Sequence, residues 1–466
     1  MRSKLFNKLI LFLSFGLSIT LISCSDSGKG RICIYKDNPH YWEYKGKPVL
    51  LLGGSDEDNL FNNPPLMMKN LDILSKVGGN YIRATLSWRD SGNVSPYLKN
   101  DGLYNLDNFN PEFFNRLENC CRESEARDII LQIEIWATFD YYRDNWLNNP
   151  FNPSNNINYT TENTSLITEW DYHPAQNVQP FFYSMPMLNN DQVVLRYQEE
   201  FVKKVLDITI SYPNVLYCLD NETRAPAEWA LYWGKFIQKE AERRGYFVQL
   251  TEMWDPWDIT DKQHSTTYEH PEYFSFTDVS QNNWQEVQTH YDRLIWYREN
   301  LTKQKGGVRP MNNVKVYARR GGGKPNDVPI SIDRWWQNVF AGCASTRFHR
   351  PTGGIGLNNT AQKVIHAARV FTSAFNIFAC EPKPELLSNR EENEAYCLAN
   401  PGNVYALYFP SGGDVKLEVE NGDYRLRWFD TETASFMEPQ TMSVSQYADL
   451  KSPNTDKTWL VLLDKK

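Results

Sequence analysis

The amino-acid sequence predicts a (β/α)8 barrel followed by a small antiparallel β-sandwich, and three observations predict it. First, apolar runs of strand length end repeatedly in acids or aromatics. Residues 215–219 lead into Asp220, Asn221 and Glu222, residues 129–133 into Glu134 and Trp136, residues 247–250 into Glu252 and Trp254, and residues 274–276 into Asp278. Runs without polar alternation read as strands buried on both faces, so the polar groups that close them emerge at a rim. Second, helical patterns follow these runs, and strands alternating with helices imply a parallel sheet whose functional groups collect at its C-terminal edge. Third, beyond residue 376 the periodicity shortens to strands separated by the turns Ser411-Gly412-Gly413 and Asn421-Gly422.

The elements follow in order. Arg2, Lys4 and Lys8 precede an apolar stretch over residues 9–22, too short and wrongly flanked for a membrane span, which ends at Leu21-Ile22-Ser23-Cys24. This resembles a bacterial lipobox and implies cleavage before Cys24, a lipid on its thiol, and a protein anchored in the cell envelope at the outer membrane, facing periplasm or medium. Residues 1–23 are therefore assigned to the leader, 24–30 to a linker, 31–378 to the barrel with its N-terminal hairpin, and 379–466 to the sandwich. The hairpin covers 32–35 and 41–44. Strands are expected at 49–52, 81–86, 129–135, 215–220, 247–251, 274–278, 314–318 and 345–349. Helices are expected at 66–77, 113–122, 192–210, 229–243, 285–300, 332–341 and 361–375, with no clear long helix after the fifth strand. Residues 140–190 carry Asn, Pro, Thr and aromatics without periodicity, and a loop that long inside a compact domain reads as one wall of a binding cleft. Strands at 403–409, 415–419, 424–429 and 458–463 build the sandwich.

Removing the leader's three basic residues takes the formal charge from −8 to −11, which disfavours nucleic acid as a partner. The 15 Trp, 26 Tyr and 24 Phe suit both a core and the stacking of sugar rings. The eight cysteines show no metal-ligand spacing, and no metal or other cofactor is expected. Cys120 and Cys121 point about 100° apart on a helix and do not readily share one partner. Cys380 and Cys397 are free to pair in an oxidising envelope or to stay small buried hydrophobes.

The hairpin followed by Tyr44-Lys45-Gly46-Lys47-Pro48-Val49-Leu50-Leu51-Leu52-Gly53, Arg83 on the second strand, Asn221-Glu222 closing the fourth, and the terminal Ala406-Leu407-Tyr408-Phe409-Pro410-Ser411-Gly412-Gly413 and Arg427-Trp428-Phe429-Asp430 resemble clan A glycoside hydrolases. More narrowly they resemble apiosidase-like bacterial lipoproteins, whose barrel precedes a module named for collagen binding. The resemblance implies a glycosidase with Glu222 as general acid/base, Asn221 bonded to the sugar hydroxyl beside the anomeric carbon, and Arg83 supporting the nucleophile. The clan's nucleophilic glutamate belongs on the seventh strand, which here reads Asn313-Val314-Lys315-Val316-Tyr317-Ala318-Arg319-Arg320 without a carboxylate.

Glycoside hydrolysis needs two carboxyl groups. The reading favours Glu222 as acid and Glu252 as its partner, with Glu134 beside them in an acidic arc whose mutual repulsion raises at least one pKa. Asp278 ends the next strand. Lys315, Tyr317, Arg347 and His349 face the arc, joined by a basic glycine loop over 319–324, and either bind an acidic sugar or neutralise the arc. Trp88, Trp136 and Trp254 are the expected stacking platforms. A monomer with a carbohydrate substrate is expected. Two other classes stay open: a polysaccharide lyase with Lys315 or Tyr317 as base and Arg347 neutralising a uronate, and a glycan-binding protein without turnover.

Overall fold

The computed structural model describes residues 30–285, 287–319 and 327–466. The leader, Cys24, the linker up to residue 29 and the part of the basic loop from Arg320 to Lys324 lie outside the described residues.

The chain forms a mixed α/β fold on a curled parallel sheet. We label its strands β1 (Leu51–Gly54), β2 (Tyr81–Thr85), β3 (Ile130–Trp136), β4 (Val215–Asp220), β5 (Leu250–Thr251), β6 (Thr277–Asp278), β7 (Met311–Asn312) and β8 (Ser345–Phe348). Six pair in the order β5-β4-β3-β2-β1-β8, and β6 pairs with β7, all parallel. At one seam the Ser275 amide donates to the Leu250 carbonyl (3.0 Å). At the other, Ala344 donates to Met311 (2.8 Å) and Val316 pairs with Phe348. Gly53 is needed where β1 meets β2, because a Cβ there would lie 1.9 Å from the Tyr81 carbonyl oxygen.

A helix follows each strand: α1 (Pro64–Lys76), α2 (Pro111–Glu125), α3 (Gln192–Thr209), α4 (Ala227–Arg243), α5 (Lys262–Glu269), α6 (Val287–Lys303), α7 (Val328–Phe340) and α8 (Asn359–Thr372). The short α5 fills the place after the fifth strand where no long helix was expected. Asn110, Asp191, Asp261, Asp327 and Asn358 each accept an amide hydrogen from the first turn of the helix they precede, satisfying a donor the helix leaves free.

The strands alternate in what they face. On β4, Leu216 and Cys218 join Leu51, Tyr81, Ile130, Met253, Phe276, Val314 and Ala344 in a small cluster inside the curl, while Val215, Tyr217 and Leu219 belong to the large core with the helices. Ile32, Trp42 and Tyr44 from the N-terminal strands close the inner cluster from below, and Trp42 Nε1 donates to Asn312 Oδ1 (2.9 Å).

Residues 140–190 hold their shape without a ladder. Buried Asn149, Asn152 and Asn156 donate through Nδ2 to the carbonyls of Asp140, Trp146 and Pro150 (2.8, 3.0 and 3.1 Å), replacing the backbone partners a loop lacks.

Residues 381–465 form a seven-stranded and a three-stranded antiparallel sheet. Val404–Phe409, Asp414–Glu418, Gly422–Asp430 and Trp459–Lys465 match expected strands, and Tyr396–Asn400, Gln440–Val444 and Tyr447–Lys451 add to them. Tyr405, Leu407, Val461 and Leu463 point into a separate apolar cluster, whereas alternate residues Ala406, Tyr408, Leu460 and Leu462 join the main core. Tyr408 donates to Asp333 (2.7 Å) and Gln337 to Tyr396 (2.9 Å), tying this region to α7. Cys380 and Cys397 are both free and buried, so they do not pair. Among the described residues no helix is long and apolar enough to cross a membrane, and no acid, histidine and cysteine cluster is shaped for a metal.

Candidate active site

The C-terminal ends of the parallel strands converge on a cavity of about 320 Å³ lined by Asp58, Arg83, Arg89, Phe139, Asn145, Asn221, Glu222, Lys315, Tyr317, His349 and Arg350. Six of these are expected site residues: Arg83, Asn221, Glu222, Lys315, Tyr317 and His349. Asn145 is contributed by the 140–190 segment, and Phe139 immediately precedes it.

Glu222 is the centre. Two residues beyond β4, its backbone sits in the left-handed region at φ 61°, a conformation that costs a side-chain-bearing residue about 1–2 kcal/mol and tends to occur at functional positions. Lys315 and Tyr317, two residues apart on the irregular stretch after β7, share a side and both reach Glu222 Oε1, at 2.5 Å from Nζ and 2.9 Å from the phenol. Burial alone would raise the Glu222 pKa. The Lys315 ammonium, with hydrogen bonds from Lys315 and Tyr317, outweighs it and holds the carboxyl down at about 2. Glu222 is therefore an anion at physiological pH, the opposite of the protonated group a general acid requires. Tyr317, pushed well up by burial and by the charge of Glu222, keeps its proton and serves as donor.

Lys315 also donates to Asn221 Oδ1, which receives Arg83 Nη1 at 3.4 Å. Arg83 pairs with Asp58 (2.7 Å) on one side and Glu134 (2.9 Å) on the other, and Thr85 Oγ1 adds a 2.6 Å bond to Glu134. Glu134 is thus a buried partner of Arg83 behind the cavity wall. Burial opposes ionisation of Asp58, but Arg83, Arg350 and Arg347 overcome it and keep Asp58 charged. Burial, with Arg83 and Arg347 adding, keeps His349 neutral against the pull of Asp58 3.7 Å away.

The other expected residues are not brought to the cavity. Glu252 is fully buried, and its Oε1 accepts the amides of Asp220 (3.0 Å) and Met253 (2.8 Å). Parity explains this: Met253 faces into the curl, so its neighbour turns away. Trp254 donates to Thr267 on α5 (2.8 Å) and is buried. Trp136 packs among Phe181, Phe201, Trp229 and Trp233 rather than following Glu134 inward. Trp88 is half-buried edge-on to Tyr141. Arg347 lies beneath the cavity, donating to the Val314 carbonyl (2.7 Å) and to Ser55, with its pKa lowered to about 10 by burial and Arg83. Asp278 is buried and accepts the Ser280 amide (2.8 Å); burial raises it to about 6.

Sequence reasoning missed Asp58, Arg89, Arg350 and Asp255. Asp58, Arg89 and Arg350 lie in loops just past β1, β2 and β8, where no strand register reaches; acids following Ser55, and the arginines after Trp88 and His349, were the available signals. Asp255 continues the β5 line past Glu252: its amide bonds to the Thr223 carbonyl (2.9 Å) and its carboxylate accepts Arg224 Nε (2.6 Å). Burial raises its pKa, the Arg224 bond opposes, and the charge of Glu222 raises it further.

Fold comparison now has a site to refer to. The structure is similar to one solved as "Glycoside hydrolase" (TM-score 0.63, 10% identity, 94% of this chain and 97% of that one covered). It is also similar to a glycoside hydrolase family 5 protein from Bacteroides vulgatus (TM-score 0.64, 10% identity, 94% of each covered). A glycoside hydrolase family 5 mannosidase from Rhizomucor miehei matches over 73% of this chain and 97% of that one (TM-score 0.51, 11% identity). No protein-family model and no curated protein matches the sequence. At these identities the likeness is one of fold.

Beneath Glu222 lies a second acidic feature. Asp220 and Glu252 are adjacent buried carboxyls, Trp229 Nε1 donates to Asp220 Oδ2 (2.8 Å), and each acid keeps one oxygen with no hydrogen-bond partner among the described residues. Burial raises Asp220 to about 7, and burial plus the charge of Asp220 raises Glu252 well above its usual range. Folded pKa values above the unfolded ones mean that the native state holds extra protons, so this pair lowers stability as pH rises from about 4 to about 7. Asp220→Asn should flatten that decline. Melting temperatures of variant and wild type at pH 5 and pH 8 check this, and an unchanged difference between the two pH values would contradict it.

Proposed function

We propose that the protein is a glycoside hydrolase acting on oligosaccharide or polysaccharide chains, with Glu222 as its central catalytic group. The observation that carries the proposal is the Glu222 carboxylate, held ionised and in a left-handed backbone conformation, just past the end of β4 in a polar cavity. The fold likeness to glycoside hydrolases supports the same reading. So does the architecture we infer for the host: an eight-stranded (β/α)8 barrel, with hydrogen bonds across both seams, over residues 31–378, and a β-sandwich over 379–466.

Glu222 is pushed down and held as an anion, so we assign it as base or nucleophile rather than as proton donor. Arg83, Asn221 and Lys315 orient Glu222 and bind sugar hydroxyls. A lyase is less well supported, because Tyr317 holds its proton and Arg347 is bound beneath the cavity. Binding without turnover is the second reading, favoured by Lys315 standing where a carboxylate partner would face Glu222. Incubation of the purified protein with a panel of plant and microbial oligosaccharides, with product analysis, decides between them. New reducing ends support the hydrolase; binding with every oligosaccharide intact supports the second reading; unsaturated products overturn both.

We further propose that the chain is lipid-anchored through Cys24 in the bacterial envelope. Cys24→Ser should then leave the membrane fraction, because the acyl chains supply the main membrane affinity. Retention of that variant in salt-washed membranes would count against the anchor.

A further inference from the structure

An aromatic stack leads out of the cavity. Tyr317, on its wall, lies 4.5 Å from the His349 ring on one side and stacks on Trp284 on the other at 5.1 Å and 29°. Trp284 stacks in turn on Trp257 at 5.0 Å and 25°. Trp257 is 54% exposed, far more than the other tryptophans at the strand ends.

Its backbone is held from both sides. Gln285 Nε2 donates to the Trp257 carbonyl (3.0 Å), His264 bonds to the Pro256 carbonyl (2.9 Å), and Asp258 is fixed by Arg293 and by the Thr260 amide and hydroxyl (2.9 and 2.7 Å). A ring that leaves apolar area in water on a backbone this restrained loses little conformational entropy when a ligand covers it. Among the described residues the charges beside Trp257 are already paired, Asp255 with Arg224 and Asp258 with Arg293, so none of these selects a charged unit.

We propose that Trp257, backed by Trp284, is a platform for the glycosyl units that follow the one held in the cavity, and that the substrate is accordingly a chain of several pyranose units. A pyranose presents a C–H face that packs flat on an indole, and the ring series from His349 to Trp257 places such a face on a continuous line from Glu222 to solvent. This deepens the glycosidase reading and rests on it, so binding and turnover are measured separately.

The experiment titrates wild type, Trp257→Ala and Trp257→Phe by calorimetry with di- and hexasaccharides of the cello, manno, xylo and galacturonate series, and follows hydrolysis of the same sugars. In the series that binds, Trp257→Ala should weaken the hexasaccharide roughly tenfold, about 1.4 kcal/mol, while leaving the disaccharide within about twofold, and Trp257→Phe should recover most of the loss. Equal affinities of Trp257→Ala and wild type for the hexasaccharide overturn the platform even where hydrolysis proceeds. The length-dependent loss without any hydrolysis keeps the platform and removes the hydrolase. Absence of binding by wild type in all series overturns both.

Discussion

Glu222→Gln should cut turnover at least about 100-fold on every glycoside the protein cleaves, and the loss should be as deep on aryl glycosides with good leaving groups as on natural ones. The reason is the charge state. Lys315 and Tyr317 hold Glu222 as an anion, so under the proposed reading it attacks or activates water, and a better leaving group would not relieve the loss of that step. A general acid would behave differently, its variant losing much on natural substrates and little on activated ones, because an activated leaving group departs without a proton. Steady-state kinetics on one substrate of each kind separate the two roles. Full activity of Glu222→Gln would end the assignment, and strong rescue of that variant by an activated substrate would return Glu222 to the role of acid.

The second large effect concerns the partner. Lys315 is almost wholly buried, and Lys315→Ala leaves a mostly buried carboxylate whose remaining side-chain hydrogen bond among the described residues comes from Tyr317. Breaking a buried pair from one side costs about 3–5 kcal/mol, so denaturant unfolding at pH 7 should show a loss of that order. Glu222→Gln added to Lys315→Ala should recover part of it, since the uncompensated charge is then gone. The sign with pH follows from the depressed folded pKa of Glu222. The stabilisation it brings is present above about 4.5 and is lost as pH falls toward 2. In Lys315→Ala this acid limb should shrink. Additive single-variant losses, or an unchanged acid limb, would show that the pair is not coupled.

What the sequence made legible was what period and junction encode. Asn221-Glu222 at the end of the long apolar β4 and Arg83 on β2 reached the cavity because their places follow from strand parity and strand ends, whereas Lys315 and Tyr317 reached it on either side of the Val316–Phe348 bridge although the strand expected at 314–318 is observed at Met311–Asn312. Glu252 and Trp254 failed on a one-residue shift of facing, which an apolar strand cannot reveal when both its faces are buried. Trp136 failed for another reason: Phe201, Trp229 and Trp233 of the helix layer and Phe181 of the long segment offered it aromatic partners, and packing overrode parity. Asp58, Arg350, Trp257 and Trp284 sit in loops, where position depends on tertiary hydrogen bonds such as that from Gln285 to Trp257 and has no periodic signature. The pairing of Glu222 with Lys315 joins residues 93 apart in sequence and is a property of the tertiary fold.

The N-terminal strands carry a consequence for orientation. Ile32 and Trp42 close the inner cluster at the end of the sheet opposite the cavity, and the Ile32 amide bonds to the Pro213 carbonyl just before β4 begins. Were Cys24 lipid-anchored as proposed, the attachment would reach the described fold at this base, opposite the mouth containing Glu222. Long glycans would then approach that mouth from bulk solvent without threading between protein and membrane.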